Sequence, residues 1–246
     1  KVLKKGTGEK VDKNATLKVN YVGVNGRTGK EFDSSYKRGT TADFPLAQVV
    51  PGFAKGLVGK HQGDRVLIMM PGSDGYDSQG GAPQAGIMKG DSLIFVVDIV
   101  AIPLPKATGE TVKPAAGLPT VKEVQGAPAV TIGKATKPNK LVVQPLIKGK
   151  GAAVTAHDSI DVKYRTYAWS SGELIEDGYS GEPVTGSMNS VIPGWKKGLI
   201  GQTVGSRVML IVPPADAYPN GSTNPPVKKG ETLIYVIDIL SAQKES

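Results

Sequence analysis

Apolar residues alternate with polar ones in two parts of the chain, residues 17–24 and residues 160–167. Successive side chains of a strand point to opposite faces of a sheet, so this alternation predicts two strands that are each buried on one face. Tyr21 and Tyr164 hold the same place in the two patterns. The shared position is a first indication that the two halves of the chain are related.

Continuous apolar runs predict four further strands, of which the two that follow the repeated helices should be buried. They lie at residues 65–70, 92–100, 207–212 and 232–240, and the last two repeat the first two in composition and order. Loops rich in Gly and Pro separate the two runs within each half. Such loops commonly lie at the rim of a binding site, because functional residues are often carried by loops on a rigid scaffold.

The longest repeat joins residues 49–76 to residues 191–218 without a gap. Of its 28 aligned positions, 13 are identical, which indicates a duplicated domain. Each copy predicts one short helix that begins at a proline, because proline suits the first helical turn. Phe53 and Leu57 share one face of the first helix, and Gly59 suits its left-handed end. The second copy has Pro193, Trp195, Leu199 and Gly201 at the corresponding positions.

The length of 246 residues fits two domains, each large enough to bury its own core. We predict a first domain at residues 1–103 and a second at residues 119–246. The second would carry an extra N-terminal segment, for which nothing comparable precedes the first domain. Residues 104–118 are rich in Pro and Gly and show little periodicity, so they predict an extended linker.

Composition excludes several kinds of site. The chain has no Cys, and its two histidines, His61 and His157, do not occupy equivalent positions. Neither a usual zinc site nor a His-based triad is predicted, and we expect no metal and no cofactor. The net charge of +8 comes from scattered basic residues, which argues against nucleic-acid binding. No apolar run approaches the length of about 18 residues that a transmembrane helix needs.

Several separated motifs resemble those of the FKBP-type peptidyl-prolyl isomerases, in family order. In the first half they are FDSS at 32–35, VVPGF at 49–53, GDR at 63–65 and LIFVVDI at 93–99. The resemblance covers nearly all of residues 1–102 and, less fully, residues 140–241. It implies an α+β fold of two tandem FKBP-like domains, each a bent antiparallel β-sheet, or half-barrel, wrapped around one short α-helix.

In that family the pocket lies between the helix and the concave face of the sheet. In the first domain the resemblance implies catalytic residues at Tyr21, Phe32, Asp33 and Tyr76, and substrate-binding residues at Phe44, Val49, Val50, Phe53 and Phe95. Phe53 replaces the family's usual Trp at the pocket floor. Taken singly, such apolar residues are more often found in a core, and Asp33 suits a turn. Their combination, in order, favours the pocket.

In the second domain the resemblance implies substrate-binding residues at Tyr164, Ile175, Glu176, Val191, Ile192, Trp195, Tyr218 and Tyr235. Ile175 replaces the aromatic wall residue Phe32. The acid in place of Asp33 is Glu176 or, if the register is shifted by one, Asp177. Phe44 has no aromatic counterpart. We therefore expect the first domain to be the main catalyst.

The implied function is peptidyl-prolyl cis-trans isomerisation of X-Pro bonds in folding proteins. The alternative is a non-catalytic chaperone or scaffold that holds peptides in the same pockets, with a structural second domain. Expected partners are proline-containing polypeptides and the macrolide ligands of the family, and we expect a monomer. Similarity to actinobacterial tandem isomerases, the basic charge and the lack of Cys favour an exported, envelope-associated protein that has lost a leader before Lys1. A cytoplasmic location is the alternative.

Overall fold

Antiparallel strands are the main regular secondary structure of each half of the chain in the computed structural model, which describes residues 1–244. The chain divides into two units between Pro103 and Leu104. Each unit has one main sheet and one seven-residue helix packed on it. The predicted α+β class, with an antiparallel sheet and a short main helix in each domain, is confirmed. Among residues 1–244, no helix has both the length and the apolar character needed to cross a membrane.

The first domain contains eight strands and two helices in its described residues. They are β1 Val2–Lys4, β2 Thr16–Asn25, β3 Glu31–Ser34, α1 Ser35–Arg38, β4 Ala42–Pro45, α2 Pro51–Leu57, β5 Arg65–Met70, β6 Gly81–Ala82, β7 Ile87–Met88 and β8 Leu93–Ala101. The main sheet has the order β1-β5-β8-β2-β3, and β4 also pairs with β2. Leu17, Val19 and Tyr21 alternate along β2 as buried residues, so the sequence pattern correctly predicts which face of this strand meets the core.

The second domain repeats this arrangement and adds strands before it. Its elements are β9 Gly109–Thr111, β10 Thr120–Val124, β11 Ala127–Thr131, β12 Val142–Gly149, β13 Asp158–Ala168, β14 Leu174–Asp177, β15 Val184–Ser187, α3 Pro193–Leu199, β16 Arg207–Val212, β17 Ser222–Thr223, β18 Pro226–Val227 and β19 Leu233–Lys244. The main sheet has the order β14-β13-β19-β16-β12-β9, and β15 also pairs with β13. Both central strands of this sheet, β16 and β19, are buried on both faces.

Two glycines bring helix α2 unusually close to strand β5. A Cβ built on Gly52 would lie 2.5 Å from Met70 Sδ, and one on Gly56 would lie 2.8 Å from Ile68 Cδ1. The adjoining face of the helix carries Phe53 and Leu57, which are both buried. The helix begins at Pro51 as predicted, and Gly59 follows it with a φ of 79°. This close packing fixes the height of Phe53 above the sheet.

The segment predicted as a linker, residues 104–118, belongs instead to the second domain. The Leu104 N–H donates to Leu240 O at 2.8 Å, and the Thr108 N–H donates to Gly205 O at 2.8 Å. Strand β9 then pairs antiparallel with β12 at the edge of the main sheet. The sequence gives little sign of this, because a three-residue edge strand has no apolar periodicity and its partners lie far along the chain.

A hairpin covers the outer face of the second sheet. Strands β10 and β11 pair from Thr120 with Thr131 to Val124 with Ala127. Val121 and Val130 pack on a separate apolar cluster of this face, formed by Tyr167, Met209, Ile211, Ile234 and Val236. The sequence predicts one extra strand near residues 129–132, and the structure has two. The pocket of the second domain lies on the other face of this sheet.

Candidate active site

A cavity of about 280 Å³ opens between helix α2 and the sheet of the first domain. All nine residues predicted for this site line it: Tyr21, Phe32, Asp33, Phe44, Val49, Val50, Phe53, Tyr76 and Phe95. Gln48 and Gln79 also line it and are not predicted from the sequence. Both lie outside the strands and helices that the apolar pattern indicates. Their side chains are exposed at the rim.

Four aromatic rings form an apolar floor and wall. The Phe53 and Phe95 ring centroids are 4.5 Å apart, and those of Phe44 and Phe53 are 4.8 Å apart. Phe32 meets Phe95 edge-on at 5.5 Å. Tilted and edge-on pairs at such distances are the favourable geometries for aromatic rings. The floor is therefore apolar and closely packed, which suits an apolar ring of a ligand.

A polar cluster closes one side of the cavity. The Tyr21 hydroxyl donates to Asp33 Oδ2, and Arg38 Nη1 donates to Asp33 Oδ1. Arg38 Nη2 also donates to the Tyr21 hydroxyl at 3.1 Å, and its guanidinium carbon lies 5.6 Å from the centre of the Tyr21 ring. Helix α1, capped by Ser34, positions Arg38 for these contacts. Arg38 is not predicted from the sequence.

These contacts keep Asp33 ionised and the tyrosines neutral. Burial opposes ionisation of Asp33, but the hydrogen bonds from Tyr21 and Arg38 together outweigh it and lower the pKa of Asp33 below its ordinary value. Burial, together with the hydrogen bond to Asp33, raises the pKa of Tyr21. Burial and the charge of Asp33 raise the pKa of Tyr76 as well. At neutral pH the site thus has one fixed negative charge beside two uncharged hydroxyls.

Two donors at the cavity have no partner within residues 1–244. The Tyr76 hydroxyl makes no hydrogen bond to the described protein, and neither does the backbone N–H of Val50. Val50 immediately precedes helix α2, and its carbonyl accepts from the Phe53 N–H at 3.0 Å, which holds this residue at the start of the helix. Both donors can therefore bind carbonyl oxygens of a peptide in the cavity.

The second domain has an aromatic cluster at the equivalent place. The Trp195 ring meets Tyr164 edge-on at 5.1 Å and Tyr235 edge-on at 5.5 Å. The other predicted apolar residues of this site, Ile175, Val191, Ile192 and Tyr218, pack against the same cluster. The structure thus brings the predicted residues of each half together, and the role of each in turnover stays a prediction.

Glu176, rather than Asp177, takes the position of Asp33. Strand pairing places Glu176 opposite Thr166, as Asp33 lies opposite Gly23. Glu176 accepts hydrogen bonds from the Tyr164 hydroxyl at 3.3 Å and from Thr166 Oγ1 at 2.8 Å. Asp177 points elsewhere, because it pairs with Arg165 through hydrogen bonds of 3.1 and 2.7 Å.

The wall formed by Phe44 is missing in the second domain. Phe44 lies opposite Leu17 in the first sheet, and Gly186 lies opposite Ile160, the counterpart of Leu17, in the second. A Cβ built on Gly186 would meet only Val191 Cγ1, at 3.7 Å. The second site is therefore more open beside Tyr164 than the first is beside Tyr21.

Comparison with known proteins identifies the family. Residues 7–100 and 150–240 match the family described as FKBP-type peptidyl-prolyl cis-trans isomerase. A probable FK506-binding protein of Corynebacterium glutamicum is 32% identical over 117 residues, which are 47% of this chain and 98% of that protein. An FK506-binding protein of Streptomyces anulatus is 39% identical over 99 residues, 39% of this chain and 79% of that protein. 

A third relative is longer than the segment that it shares with this chain. The FKBP-type peptidyl-prolyl cis-trans isomerase FkpA of Aeromonas hydrophila is 36% identical over 113 residues, 46% of this chain and 40% of that protein. The family match spans most of both domains, and the fold and the two aromatic sites agree with it. The chain therefore belongs to the FKBP-type peptidyl-prolyl cis-trans isomerases, as a tandem form with two such domains.

Proposed function

We propose that the first domain carries most of the isomerase activity and acts on exposed X-Pro segments of folding polypeptides. The observation that carries this proposal is the cavity whose aromatic floor lies beside Asp33 and below the unpaired donors of Tyr76 and Val50. An apolar ring fits the floor, and the two donors suit the carbonyls on either side of it. This combination matches a proline and its two neighbouring peptide groups.

Catalysis here means lowering a rotational barrier of about 18 to 20 kcal/mol, which arises because twisting the C–N bond destroys amide resonance. The planar amide is more polar than the twisted one, so a dry aromatic cavity disfavours the ground state. Donors that hold the flanking carbonyls where the twisted geometry fits bind the transition state better than the substrate. No bond breaks, and no proton has to move.

Asp33 acts through its charge and through Tyr21. Its lowered pKa leaves it without a proton to donate at neutral pH, so we assign it no acid–base role. It holds the Tyr21 hydroxyl, whose ring packs 5.2 Å from Phe44 and 6.2 Å from Phe95. The carboxylate thus fixes one aromatic wall and adds a field at the carbonyl of the twisting bond.

The second domain lacks parts of this arrangement. Ile175 and Gly186 replace the aromatic wall residues Phe32 and Phe44, which leaves its site wider and less complementary to a proline ring. Within the described residues, its acid also lacks the ion pair that Arg38 gives Asp33. A less complementary site binds a strained transition state less well, so we assign this domain the smaller share of turnover.

Matched substitutions in the full chain test this assignment. Tyr76→Phe removes a transition-state hydrogen bond and should lower kcat/KM about fivefold, while Tyr218→Phe should change it less than about twofold. Asp33→Val and Glu176→Val form a second matched pair with the same expected order. Circular dichroism should show all four variants folded. Equal losses in both members of each pair would contradict the assignment to the first domain.

We also propose an exported, envelope-associated location. The net charge of +8 and the absence of Cys support it, since a basic surface suits an anionic envelope and a chain without thiols needs no control of disulfide pairing outside the cytoplasm. Fractionation of the native cells, with detection of this chain by antibody, tests the proposal. Recovery of the protein only with cytoplasmic markers would contradict it.

A further inference from the structure

The carboxylate of the second site differs from that of the first in having no cation. Asp33 is paired with Arg38, which comes from helix α1. The residue that corresponds to Arg38 by position is Gly181, in a segment that forms no helix. Arg165, on the neighbouring strand β13, forms an ion pair with Asp177 instead. Within residues 1–244, Glu176 forms no ion pair, and its hydrogen bonds come from the neutral hydroxyls of Tyr164 and Thr166.

The charge of Glu176 acts on the whole second site. Burial and then the charge of Glu176 raise the pKa of Tyr164 to about 12. Burial and the same charge raise the pKa of Tyr218, and burial, followed by the charges of Tyr218 and Glu176, raises the pKa of Tyr235. Three tyrosines that surround the aromatic pocket therefore lie within reach of one uncompensated carboxylate.

The side of Tyr164 that corresponds to Phe44 in the first site is open, because Gly186 has no side chain there. In the first site the Arg38 guanidinium lies over the Tyr21 ring, 5.6 Å from its centre, and Phe44 covers the adjoining side. In the second site no such cation lies over Tyr164 among the described residues, and Gly186 leaves the side of Phe44 open. A cation there would gain both an ion pair with Glu176 and a cation–π contact with Tyr164.

We propose that the second site selects X-Pro segments with a lysine or arginine next to the proline, whose cation takes the place that Arg38 holds in the first site. This inference rests on the proposed function, in that the ligands are proline-containing segments. The basic side chain extends along the space beside Gly186, lies over Tyr164 and pairs with Glu176. The two domains then differ in the clients that they hold, and the second site is specialised by the loss of its internal cation.

Fluorescence can report on the second site alone in the full chain. Both tryptophans, Trp169 and Trp195, lie in the second domain. Trp169 belongs to the cluster on the outer face of the sheet, so Trp169→Phe leaves Trp195 at the pocket floor as the single reporter. The probes are blocked hexapeptides that share one proline and carry Lys, Gln or Glu immediately before it, with a second series that varies the residue immediately after it.

Lys should bind about three- to fivefold more tightly than Gln at one of the two positions, and Glu should bind more weakly than Gln. Raising the salt concentration should reduce this preference. Glu176→Gln should abolish this preference of Lys over Gln. Equal binding of Lys and Gln peptides in both series, or a preference that survives Glu176→Gln, would overturn the proposal. So would the absence of any Trp195 response.

A peptide with Ala in place of Pro tests the recognition of proline separately from the selection for a basic neighbouring residue. If the Ala peptide binds as well as the Pro peptides, the second site does not recognise proline and the proposed ligand class fails with it. If only Pro peptides bind but the charge of the neighbouring residue has no effect, the ligand class stands and the selection for basic residues fails.

Discussion

Gly23 and Phe32 approach each other so closely that a Cβ on Gly23 would lie 2.7 Å from Phe32 Cζ. The same Cβ would lie 2.7 Å from Phe95 Cε1. The bare glycine thus makes room for the edge-on contact between these two rings. In the second domain Thr166 holds this position, is fully buried, and has Ile175 instead of Phe32 beside it. The residue at this position therefore decides whether an aromatic wall can form.

Gly23→Thr should damage both the first site and the stability of the fold. The added side chain must displace Phe32 or Phe95, and overpacking of this kind costs about 1 to 3 kcal/mol in the free energy of unfolding. Displacing the aromatic wall by about 1 Å should lower kcat/KM about tenfold or more. Urea unfolding and a proline-peptide isomerisation assay on the full chain measure the two effects.

The matched control is Gly181→Thr, because a Cβ at Gly181 meets no atom within 4 Å. This variant should change the free energy of unfolding by no more than about 0.5 kcal/mol. If Gly23→Thr keeps full activity, Phe32 and Phe95 are not the wall that positions the substrate.

Arg38→Gln should shift the acid limb of the isomerase activity to higher pH. The hydrogen bond and charge of Arg38 help to lower the pKa of Asp33, whereas burial opposes ionisation. Removing Arg38 therefore raises this pKa, so Asp33 takes up a proton at a higher pH than in the native chain. Native activity should be level from about pH 5 to pH 8, since Asp33 stays ionised and both tyrosines stay neutral throughout that range.

Lys37→Gln is the control for Arg38→Gln. It removes one positive charge from the same helix, where Lys37 pairs with Glu31 outside the cavity. A pH profile of kcat/KM for the three proteins, with Asp33 followed by carboxyl NMR, checks the expectation. Identical profiles for the two variants would show that net charge, and not the contact with Asp33, sets the acid limb.

The sequence predicts the pocket well because its residues lie in repeated motifs. Phe53 follows the proline that begins the helix, and Phe95 lies within an apolar strand, so both lie in sequence patterns that predict a known element. Gly23 lies in the strand predicted at residues 17–24, but nothing in the pattern marks its role, and Arg38 lies in no predicted element. A glycine gives no side-chain signal of the space that it leaves, and Arg38 lies on a four-residue helix with no apolar face. What these two residues do depends on partners that only the folded chain brings near.

The same reason explains the segment before the second domain. Proline and glycine in residues 104–118 predict an extended chain, and Gly109–Thr111 within this segment form strand β9. Its partners, Gly205 and Leu240, lie about a hundred or more residues away along the chain, so composition alone cannot show that it pairs with the second sheet. Composition therefore predicts the local conformation of such a segment, but it does not predict which strands the segment pairs with.

Asp91 should make the stability of the first domain depend on pH in the acid range. Its carboxylate accepts from Arg27 Nε at 2.6 Å, from Asn25 Nδ2 at 2.7 Å and from the Met88 N–H at 2.8 Å. The hydrogen bond from Arg27, followed by those from Asn25 and Met88, holds the pKa of Asp91 well below its usual range. The stabilisation is complete above the unfolded pKa of about 4 and is lost as the pH falls towards the folded value.

Asp91→Asn removes this contribution, so its free energy of unfolding should fall less steeply than that of the native chain from pH 5 to pH 3. Urea unfolding at a series of pH values measures the two slopes. Glu9→Gln, at an exposed position, serves as the control and should keep the native slope. If the Asp91→Asn slope equals the native one, the contacts of this carboxylate do not contribute to acid stability.

Gly52→Ala and Gly194→Ala are the same change at equivalent helix positions, but they should differ in cost. An added Cβ on Gly52 would lie 2.5 Å from Met70 Sδ, 2.8 Å from Met70 Cε and 2.9 Å from Met70 Cβ. Met70 can rotate its sulfur and terminal methyl away, since methionine is unbranched and adaptable, and only its Cβ requires a small backbone adjustment. The gain in helix propensity from Gly to Ala, up to about 1 kcal/mol, offsets part of the strain.

The Cβ on Gly194 would lie 2.3 Å from Val212 Cγ1 and 3.1 Å from the backbone oxygen of Asp216. Val212 is β-branched and fully buried, so rotation about χ1 is restricted and cannot readily move Cγ1 away from the added Cβ. Gly194→Ala should therefore destabilise the second domain by about 1 to 3 kcal/mol, while Gly52→Ala costs the first domain less than about 1 kcal/mol. Tryptophan fluorescence follows unfolding of the second domain, which holds both tryptophans, and circular dichroism follows the whole chain. Equal losses would mean that the helix moves as a unit away from the strand, and that the side chain facing the glycine does not set the cost.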